Sequence, residues 1–218
     1  MKHRLYSFSL SHLLWFGWRT GLNVFGFPQW PARTTGRFYL DQFLDLHSSL
    51  FHGDILEFYP SYYQNRISNQ RVGRYDVINL HLTEGANKVG DLMSSHSPEV
   101  DGKYDLIICT QVLEHVENPF VAVGTLQRWL KIGGHAIVTV PSAFPYHPDP
   151  KDYWRFTQDS ILLLFQEWDI VDLKCYGNRL AVVASYWYWM TDNLPKKSLL
   201  HEDEKSPTII AVVAQRKT

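Results

Sequence analysis

The stretch that decides the fold is residues 104–116, which read YDLIICTQVLEHV. Its first seven residues are mostly apolar, which predicts a strand buried on both faces. A polar turn follows, then an amphipathic segment, then a glycine pair at Gly133 and Gly134, and then a second apolar run at 135–140. Strand, helix, turn and strand in this order predict one βαβ unit of a parallel sheet, in which ligands bind at the carboxyl ends of the strands.

The rest of the chain continues the alternation of strands and helices. Further strands are predicted at 54–58, 75–80, 88–92, 168–176 and 208–215. Helices are predicted at 36–51, 120–130, 157–166 and 180–190. Asn118 followed by Pro119 is typical of a helix start, and Thr157 is a suitable N-cap for the next helix.

Composition limits the classes of partner. The chain has 218 residues, 45% of them hydrophobic, which suits a globular protein with a substantial core. The net charge is −1 without a long charged run, so neither nucleic acid nor an anionic membrane is expected as a partner. Cys109 and Cys175 lie in apolar segments and are expected to be buried, reduced thiols of a cytoplasmic protein. No residue spacing typical of a metal site is present, so no metal is expected.

The first 50 residues differ in character from the rest. Six large aromatic side chains crowd positions 15–30: Trp15, Phe16, Trp18, Phe25, Phe27 and Trp30. The apolar runs are too short to span a membrane. We therefore expect residues 1–50 to form a helical, aromatic cap, which covers a cleft or joins two copies in a homodimer. Residues 51–218 are expected to form the main domain.

The pattern in residues 104–134 resembles the class I S-adenosylmethionine-dependent methyltransferases, in particular the group with a Leu-Glu-His turn after the fourth strand. Three pieces carry the likeness: the run Tyr-Asp-Leu-Ile-Ile at 104–108, Val-Leu-Glu-His-Val at 112–116, and Leu-Lys-Ile-Gly-Gly at 130–134. The segment 145–157, which reads PYHPDPKDYWRFT, is similar to one branch of that group. The resemblance covers roughly residues 50 to 218. It implies a Rossmann-like α/β fold: a seven-stranded, mostly parallel sheet with an antiparallel last strand, flanked by helices.

The same resemblance implies S-adenosylmethionine as cofactor and suggests which residues hold it. They lie at or just after the ends of the predicted strands, where the family binds the cofactor. These residues are Glu57, Tyr59, Pro60 and Ser61 for the first strand, Asn79 and His81 for the second, Asp91 for the third, and Thr110 and Gln111 for the fourth. Two positions depart from the family pattern. Tyr59 stands where the family has glycine, which permits positive φ and close approach of the backbone. Asn79 and His81 stand where a carboxylate normally binds the ribose hydroxyls.

Candidates for acceptor chemistry come from two turns. His115 and His147 are candidate general bases, since an imidazole titrates near neutral pH. Asp152, Tyr153 and Arg155 are candidate substrate-binding residues on the loop over the cleft. For each of them a structural role is open as well: His115 can hold its turn, and Asp152 and Arg155 can form a local ion pair.

Two functions follow from this sequence. The first is methyl transfer to a small molecule, most simply to an oxygen of a sugar or a specialised metabolite. The alternative is a methyltransferase-fold protein with a degenerate cofactor site, which runs another reaction or serves as a binding subunit. A dinucleotide-binding oxidoreductase is disfavoured, because no Gly-x-Gly-x-x-Gly follows any strand.

Overall fold

A parallel sheet forms the centre of the protein. The structure, a computed structural model, describes residues 34–64, 71–94, 98–148, 150–186 and 194–217. Within them lies a seven-stranded sheet of order β3-β2-β1-β4-β5-β7-β6. Its strands are β1 (Gly53–Phe58), β2 (Val72–Asn79), β3 (Lys88–Val89), β4 (Tyr104–Thr110), β5 (Leu130–Pro141), β6 (Asp169–Tyr176) and β7 (Ile209–Gln215). The strands from β3 to β5 pair in parallel, and β7 pairs antiparallel with β5 and β6. This confirms the predicted Rossmann-like sheet with an antiparallel last strand.

Helices flank this sheet. They are α1 (Thr35–Leu46), α2 (Pro119–Trp129), α3 (Gln158–Leu164), α4 (Arg179–Tyr186) and α5 (Lys196–Leu199), with short 3₁₀ turns at Ser48–Leu50 and Leu113–His115. Helix α2 begins as predicted, since the Asn118 side chain accepts from the first free amides and Pro119 occupies the first turn. Thr157 caps α3 in a reciprocal pair with Ser160.

The central strands bury both of their faces, as their continuous apolar sequence predicts. Alternate residues enter two separate cores: Leu56 and Ile107 pack on one face with Trp129 of α2, and Ile55 and Leu106 pack on the other. These four strand residues are fully buried. The result is a three-layer arrangement in which the sheet has no solvated face at its centre.

Several predicted boundaries were wrong. The helix predicted at 36–51 ends at Leu46, and the strand predicted at 75–80 begins at Val72. The glycine pair at 133–134 was predicted as a turn before a strand at 135, but β5 already begins at Leu130. The pairing of β4 with β5 shifts between Tyr104 and Leu106, so the extra residues form an irregularity within the strand. Gly133 has φ +78°, and a Cβ at Gly134 would lie about 3.0 Å from the Lys131 carbonyl oxygen. The glycines therefore bend a strand, since only they fit there. Strand β3 is also shorter than predicted and ends at Val89.

Helix α1 is packed against the sheet domain. Its Tyr39 ring stacks on Tyr176 at 5.7 Å between centroids, and the Tyr39 hydroxyl donates to the Leu199 carbonyl at 2.9 Å. The side chains of Thr35 and Ser185 are hydrogen-bonded at 2.8 Å. The division between a cap at 1–50 and a domain at 51–218 stays a prediction.

Some predictions fall outside the described residues. The aromatic cluster of residues 15–30, with the predicted dimer contact, belongs to them, as do Asp149 and the end of the helix predicted at 180–190. Cys109 and Cys175 are buried free thiols, as predicted. Among the residues described, no helix is both long and apolar enough to cross a membrane.

Candidate active site

A cavity of about 330 Å³ opens at the carboxyl ends of β1, β4 and β5. Strands β1 and β4 are neighbours although β2 and β3 separate them in sequence, so the cavity lies at the point where the strand order reverses. The turns after these strands, the loop after β5 and the start of α1 supply its wall: Thr34, Gly36, Arg37, Leu40, Phe58, Tyr59, Pro60, Tyr62, Thr110, Gln111, Val112, His115, Pro141, Phe144, His147, Thr208 and Ile209. Predicted residues from three separate turns therefore meet in one place.

Glu57 at the end of β1 holds the turn that follows it. Its side chain is 1% exposed and accepts hydrogen bonds from the Ser61 hydroxyl at 2.8 Å, the Tyr62 amide at 2.7 Å and the Tyr63 amide at 3.3 Å. The Tyr75 hydroxyl donates to it at 2.5 Å, and burial together with the Glu57 charge raises the pKa of Tyr75. Both carboxylate oxygens are thus engaged within the protein. Glu57 shapes the cavity wall indirectly, by fixing the loop.

The turn after β1 tolerates tyrosine at position 59. Among the described residues other than glycine, only Gln111 has positive φ, so the backbone at Tyr59 does not require glycine. The Tyr59 amide donates to the Ile78 carbonyl at 2.9 Å, and its side chain is 43% exposed at the cavity wall. The ring of Tyr59 lies close to Gly85, where an added Cβ would contact it at 3.5 Å. Tyr59 is therefore a wall residue in a turn that does not need a positive φ at this position.

The turn after β4 forms another part of the wall of the same cavity. Gln111 has φ +55°, a left-handed conformation that reverses the chain after Thr110. The Gln111 amide donates to the Thr139 carbonyl at 2.8 Å, and its side-chain nitrogen donates to the Thr139 hydroxyl at 3.2 Å. These bonds fix the turn against β5. Thr110 and Gln111 both line the cavity, where the sequence places them.

His115 and His147 meet at one end of the cavity. Their ring centroids are 5.0 Å apart, although 31 residues separate them in the sequence. The ring nitrogen Nδ1 of His115 is hydrogen-bonded to the Lys151 carbonyl, and burial lowers the pKa of His115. Beneath them, Glu114 is fully buried, and burial raises its pKa to about 8. The two predicted histidines therefore form a pair over a buried carboxyl group.

The loop that carries His147 is held by an internal ion pair. Asp152, with a side chain 2% exposed, accepts from Arg155 at 2.5 and 2.7 Å and from the His147 amide at 2.9 Å. Arg155 also donates to the carbonyls of Phe144 and Pro145. The hydrogen bonds from Arg155 hold the pKa of Asp152 below its usual range. Asp152 and Arg155 do not line the cavity; they position the loop that does.

Removing the carboxylate of Asp152 is expected to destabilise the fold. Asp152→Ala leaves a partly buried guanidinium and the His147 amide without their acceptor, which we expect to lower the free energy of unfolding by about 2–3 kcal/mol. Lys151→Ala is the matched control, because Lys151 pairs with Glu117 at 3.8 Å with both side chains about two-thirds exposed. It should cost under about 0.5 kcal/mol. Urea unfolding measures both values, and equal, small effects would contradict the assigned role of Asp152.

Comparisons with known proteins agree with this fold. The family model described as "Methyltransferase domain" matches residues 51–173, which is more than half of the chain. The chain belongs to this methyltransferase-domain family. The resemblance stated from the Leu-Glu-His turn is thereby confirmed.

Relatives and solved structures extend this comparison. Ubiquinone biosynthesis O-methyltransferase of Vibrio parahaemolyticus is 33% identical over 63 residues, 28% of this chain and 27% of that protein. The match thus spans about a quarter of that relative's length. N-methyltransferase NodS from Bradyrhizobium japonicum, solved with S-adenosyl-L-homocysteine, has a TM-score of 0.56 at 14% identity over 85% of this chain and 89% of NodS. The [4+2]-cyclase SpnF has a TM-score of 0.55 at 15% identity over 88% of this chain and 86% of SpnF.

Three residues predicted for the cofactor do not reach the cavity of this methyltransferase-domain protein. Asn79 accepts from the Leu80 amide at 2.9 Å and donates to the Thr83 hydroxyl at 3.2 Å, so its amide caps a local loop. His81 is exposed, and Asp91 accepts from the Met93 amide at 2.8 Å. They lie beyond β2 and β3, to one side of the cavity. Their cofactor roles stay predictions.

Three further predicted residues are Pro60, Ser61 and Tyr153, and of these only Pro60 lines the cavity. Ser61 uses its hydroxyl to hold Glu57, whereas its neighbour Pro60 lines the cavity. Tyr153 lies outside, where its hydroxyl donates to Glu117 at 3.1 Å. The structure therefore supports a cavity role for Pro60 and offers no such support for Tyr153.

Arg37 is the functional candidate that the sequence analysis missed. Its guanidinium lies 3.8 Å from the centroid of the Tyr62 ring and donates to the Tyr63 hydroxyl at 2.5 Å. Among the described residues that line the cavity, it is the one with a permanent charge. One signal was available in the sequence. Arg37 lies in the first turn of α1, where a positive charge interacts unfavourably with the helix dipole, and such a residue is a candidate for a binding role.

Proposed function

We propose that this protein is an S-adenosylmethionine-dependent methyltransferase that methylates an oxygen of a small molecule. The observation that carries the proposal is the cavity at the strand reversal of a methyltransferase-domain fold, with a cation at α1 and a pair of histidines, one from the turn after β4 and one from the loop after β5. The relationship to ubiquinone biosynthesis O-methyltransferases over 63 residues supports oxygen as the acceptor atom. A volume of about 330 Å³ lies within the range of small-molecule sites.

The residues of the cavity suit the chemical groups of this cofactor. Arg37 and the free amides at the start of α1 offer positive potential for its carboxylate. The backbone of Thr110 and Gln111 and the aromatic wall of Phe58 and Tyr59 would hold its less polar parts. When bound, the cofactor supplies an electrophilic methyl group on a sulfonium.

The protein's remaining task is to place the acceptor and manage its proton. An acceptor oxygen forms a bond to the methyl carbon while the bond from carbon to sulfur breaks, and a hydroxyl acceptor also loses its proton. His115 and His147 line the cavity and offer ring nitrogens to bind such an oxygen. Their position depends on the ion pair of Asp152 and Arg155, which makes those two residues positioning residues.

Transfer of a labelled methyl group tests this proposal. The full chain is incubated with methyl-labelled S-adenosylmethionine and a panel of phenols, catechols, sugar hydroxyls and amines. We expect label on an oxygen-containing acceptor. Label only on nitrogen would contradict the oxygen assignment, and no label on any acceptor by protein that binds S-adenosylhomocysteine would count against small-molecule methyl transfer.

Tyr59→Gly is expected to weaken cofactor binding. The substitution removes an aromatic wall and adds backbone freedom to the turn, at a cost of about 1 kcal/mol, which corresponds to about a fivefold higher Kd for S-adenosylhomocysteine. Tyr59→Phe is the matched control, because it keeps the ring and the backbone preference, and should bind like the unsubstituted protein. Calorimetric titration gives both constants. A Tyr59→Gly protein that binds more tightly would show that the tyrosine obstructs the site.

The residues after β2 and β3 favour a second function, that of a methyltransferase-fold protein with a degenerate cofactor site. Because Asn79, His81 and Asp91 do not reach the cavity, the ribose and adenine lack a described carboxylate contact there. A solved structure with this fold is a [4+2]-cyclase. A protein whose cofactor site is degenerate in this way, and which runs another reaction or serves as a binding subunit, would bind neither S-adenosylmethionine nor S-adenosylhomocysteine.

A further inference from the structure

We propose that Glu114, His115 and His147 bind a divalent transition-metal ion at the histidine end of the cavity. One potential ligand atom from each residue lies within 4.8 Å of the others. Glu114 and His115 come from the 3₁₀ turn after β4, and His147 comes from the loop after β5. The fold thus brings two nitrogen donors and one oxygen donor to a single point.

The buried carboxyl group of Glu114 is the feature that a bound cation would explain. Its side chain is 0% exposed, and neither carboxylate oxygen has a hydrogen-bond partner among the residues that the structure describes. The His115 nitrogen Nε2 lies 3.8 Å from Oε1, beyond hydrogen-bond distance. A buried polar group without a hydrogen bond is costly, and a bound cation satisfies a carboxylate fully. Glu57 is buried to a similar degree but accepts hydrogen bonds from four donors, whereas Glu114 accepts none from the described residues.

Both imidazoles are oriented as metal ligands usually are. Nδ1 of His115 faces the Lys151 carbonyl, and Nδ1 of His147 lies 3.2 Å from both the Pro145 carbonyl and the Asp152 carboxylate. These acceptors favour the tautomer with hydrogen on Nδ1, which leaves the Nε2 lone pair of each ring free. A histidine that donates from one nitrogen to a carbonyl or carboxylate and binds the ion with the other is the common arrangement at metal sites.

The donor set indicates the kind of ion. Two imidazoles and one carboxylate are the ligands of catalytic zinc sites and also suit other first-row divalent ions. Ligands about 2.0–2.1 Å from a tetrahedral ion lie about 3.3 Å from one another, so the three side chains would move together by roughly 1 Å. His115 and His147 line the cavity, so the remaining coordination position faces it.

The consequence for the reaction rests on the proposed function. An acceptor hydroxyl bound at the open position would have its pKa lowered by the ion and would lose its proton to water more readily. The metal site itself does not depend on methyl transfer. Binding of the ion and binding of the cofactor can therefore be measured separately.

Cobalt and zinc titrations of the chelator-treated full chain test the site. We expect one Co²⁺ per chain with visible absorption typical of a four- or five-coordinate ion, and displacement by Zn²⁺. Glu114→Gln, His115→Ala and His147→Ala should each weaken binding by about a hundredfold. His52→Ala is the matched control, since His52 is exposed just before β1, at the amino ends of the parallel strands and away from the cavity at their carboxyl ends, and should leave binding unchanged.

The outcomes separate this inference from the proposed function. Circular dichroism of each metal-free variant establishes that it is folded, and His147→Ala, in a partly exposed loop, serves if Glu114→Gln does not fold. Failure of the folded, unsubstituted chain to bind Co²⁺ or Zn²⁺, or equal binding by all variants, would overturn the metal site. Metal-free protein that still binds S-adenosylhomocysteine would leave the proposed function standing in that case.

Discussion

Glu57→Ala is expected to lower the free energy of unfolding by about 3–5 kcal/mol, the largest effect on stability among the substitutions considered for the site. The reason is that one buried carboxylate accepts from Ser61, from the amides of Tyr62 and Tyr63, and from the Tyr75 hydroxyl. Alanine leaves these donors without an acceptor, and each buried donor so stranded costs about 1–3 kcal/mol before the loop rearranges. Urea unfolding followed by circular dichroism measures the change.

A control and a second readout make this expectation specific. Glu84→Ala removes an exposed carboxylate from the neighbouring loop and should change stability by under about 0.5 kcal/mol. Glu57→Ala should also weaken ligand binding in the cavity, because Tyr59, Pro60 and Tyr62 of the loop form part of its wall. If the folded Glu57→Ala protein has the stability of the Glu84→Ala control, Glu57 does not hold the loop.

Arg37→Ala is expected to raise the Kd for S-adenosylhomocysteine by about 10–100-fold. A hydrogen bond between charged groups contributes about 1.5–3 kcal/mol, and each 1.4 kcal/mol is tenfold in affinity. Arg37 is held over the Tyr62 ring and by the Tyr63 hydroxyl, so the guanidinium is positioned before the ligand arrives. Such positioning lowers the entropy lost on binding. Isothermal titration calorimetry gives the constant.

Two companion variants define what Arg37 does. Arg37→Lys keeps the charge but loses the planar group that stacks on Tyr62, and should bind with intermediate affinity. Arg179→Ala is the control, because the Arg179 side chain is 84% exposed and lies outside the cavity wall. An unchanged Kd for folded Arg37→Ala would show that the cofactor's carboxylate lies elsewhere.

The sheet was predictable from sequence because its strands are buried on both faces. The apolar run of β4 and the apolar run after Gly134, with an amphipathic segment between them, predict two parallel strands joined by a helix. Asn118 with Pro119 predicts the start of that helix, α2. The bend in β5 could not be read, since a glycine pair is equally compatible with a turn between elements and with an irregular strand. The pairing of this segment with β4, a tertiary contact, decides that it forms an irregular strand.

The candidate site was predictable only in part. Strand ends were found, and Thr110, Gln111, His115 and His147 do line one cavity. The direction of a side chain could not be predicted. Glu57 was predicted to bind the cofactor, but its carboxylate accepts hydrogen bonds from the loop that follows it. Arg37 was missed because it lies on a helix before the first strand, and only tertiary packing carries that helix to the strand ends.

The grouping of Glu114 with His115 and His147 shows the same limit. No sequence spacing indicates a metal site, because His147 comes from a separate loop whose path depends on the ion pair between Asp152 and Arg155. The pattern of residues specifies elements and their ends. Which loops meet across the cavity is decided by packing and hydrogen bonds that the pattern does not contain.

The central claim, that this cavity binds S-adenosylmethionine, is tested most directly by titration of the folded chain with S-adenosylmethionine and S-adenosylhomocysteine. The account predicts one site per chain and, at a ligand concentration of a hundred times the Kd, a stabilisation of about 2.7 kcal/mol, or roughly 5–10 °C in Tm. Binding of neither ligand to well-folded protein at millimolar concentration would contradict the claim, and would leave the cavity to another reaction or to a partner.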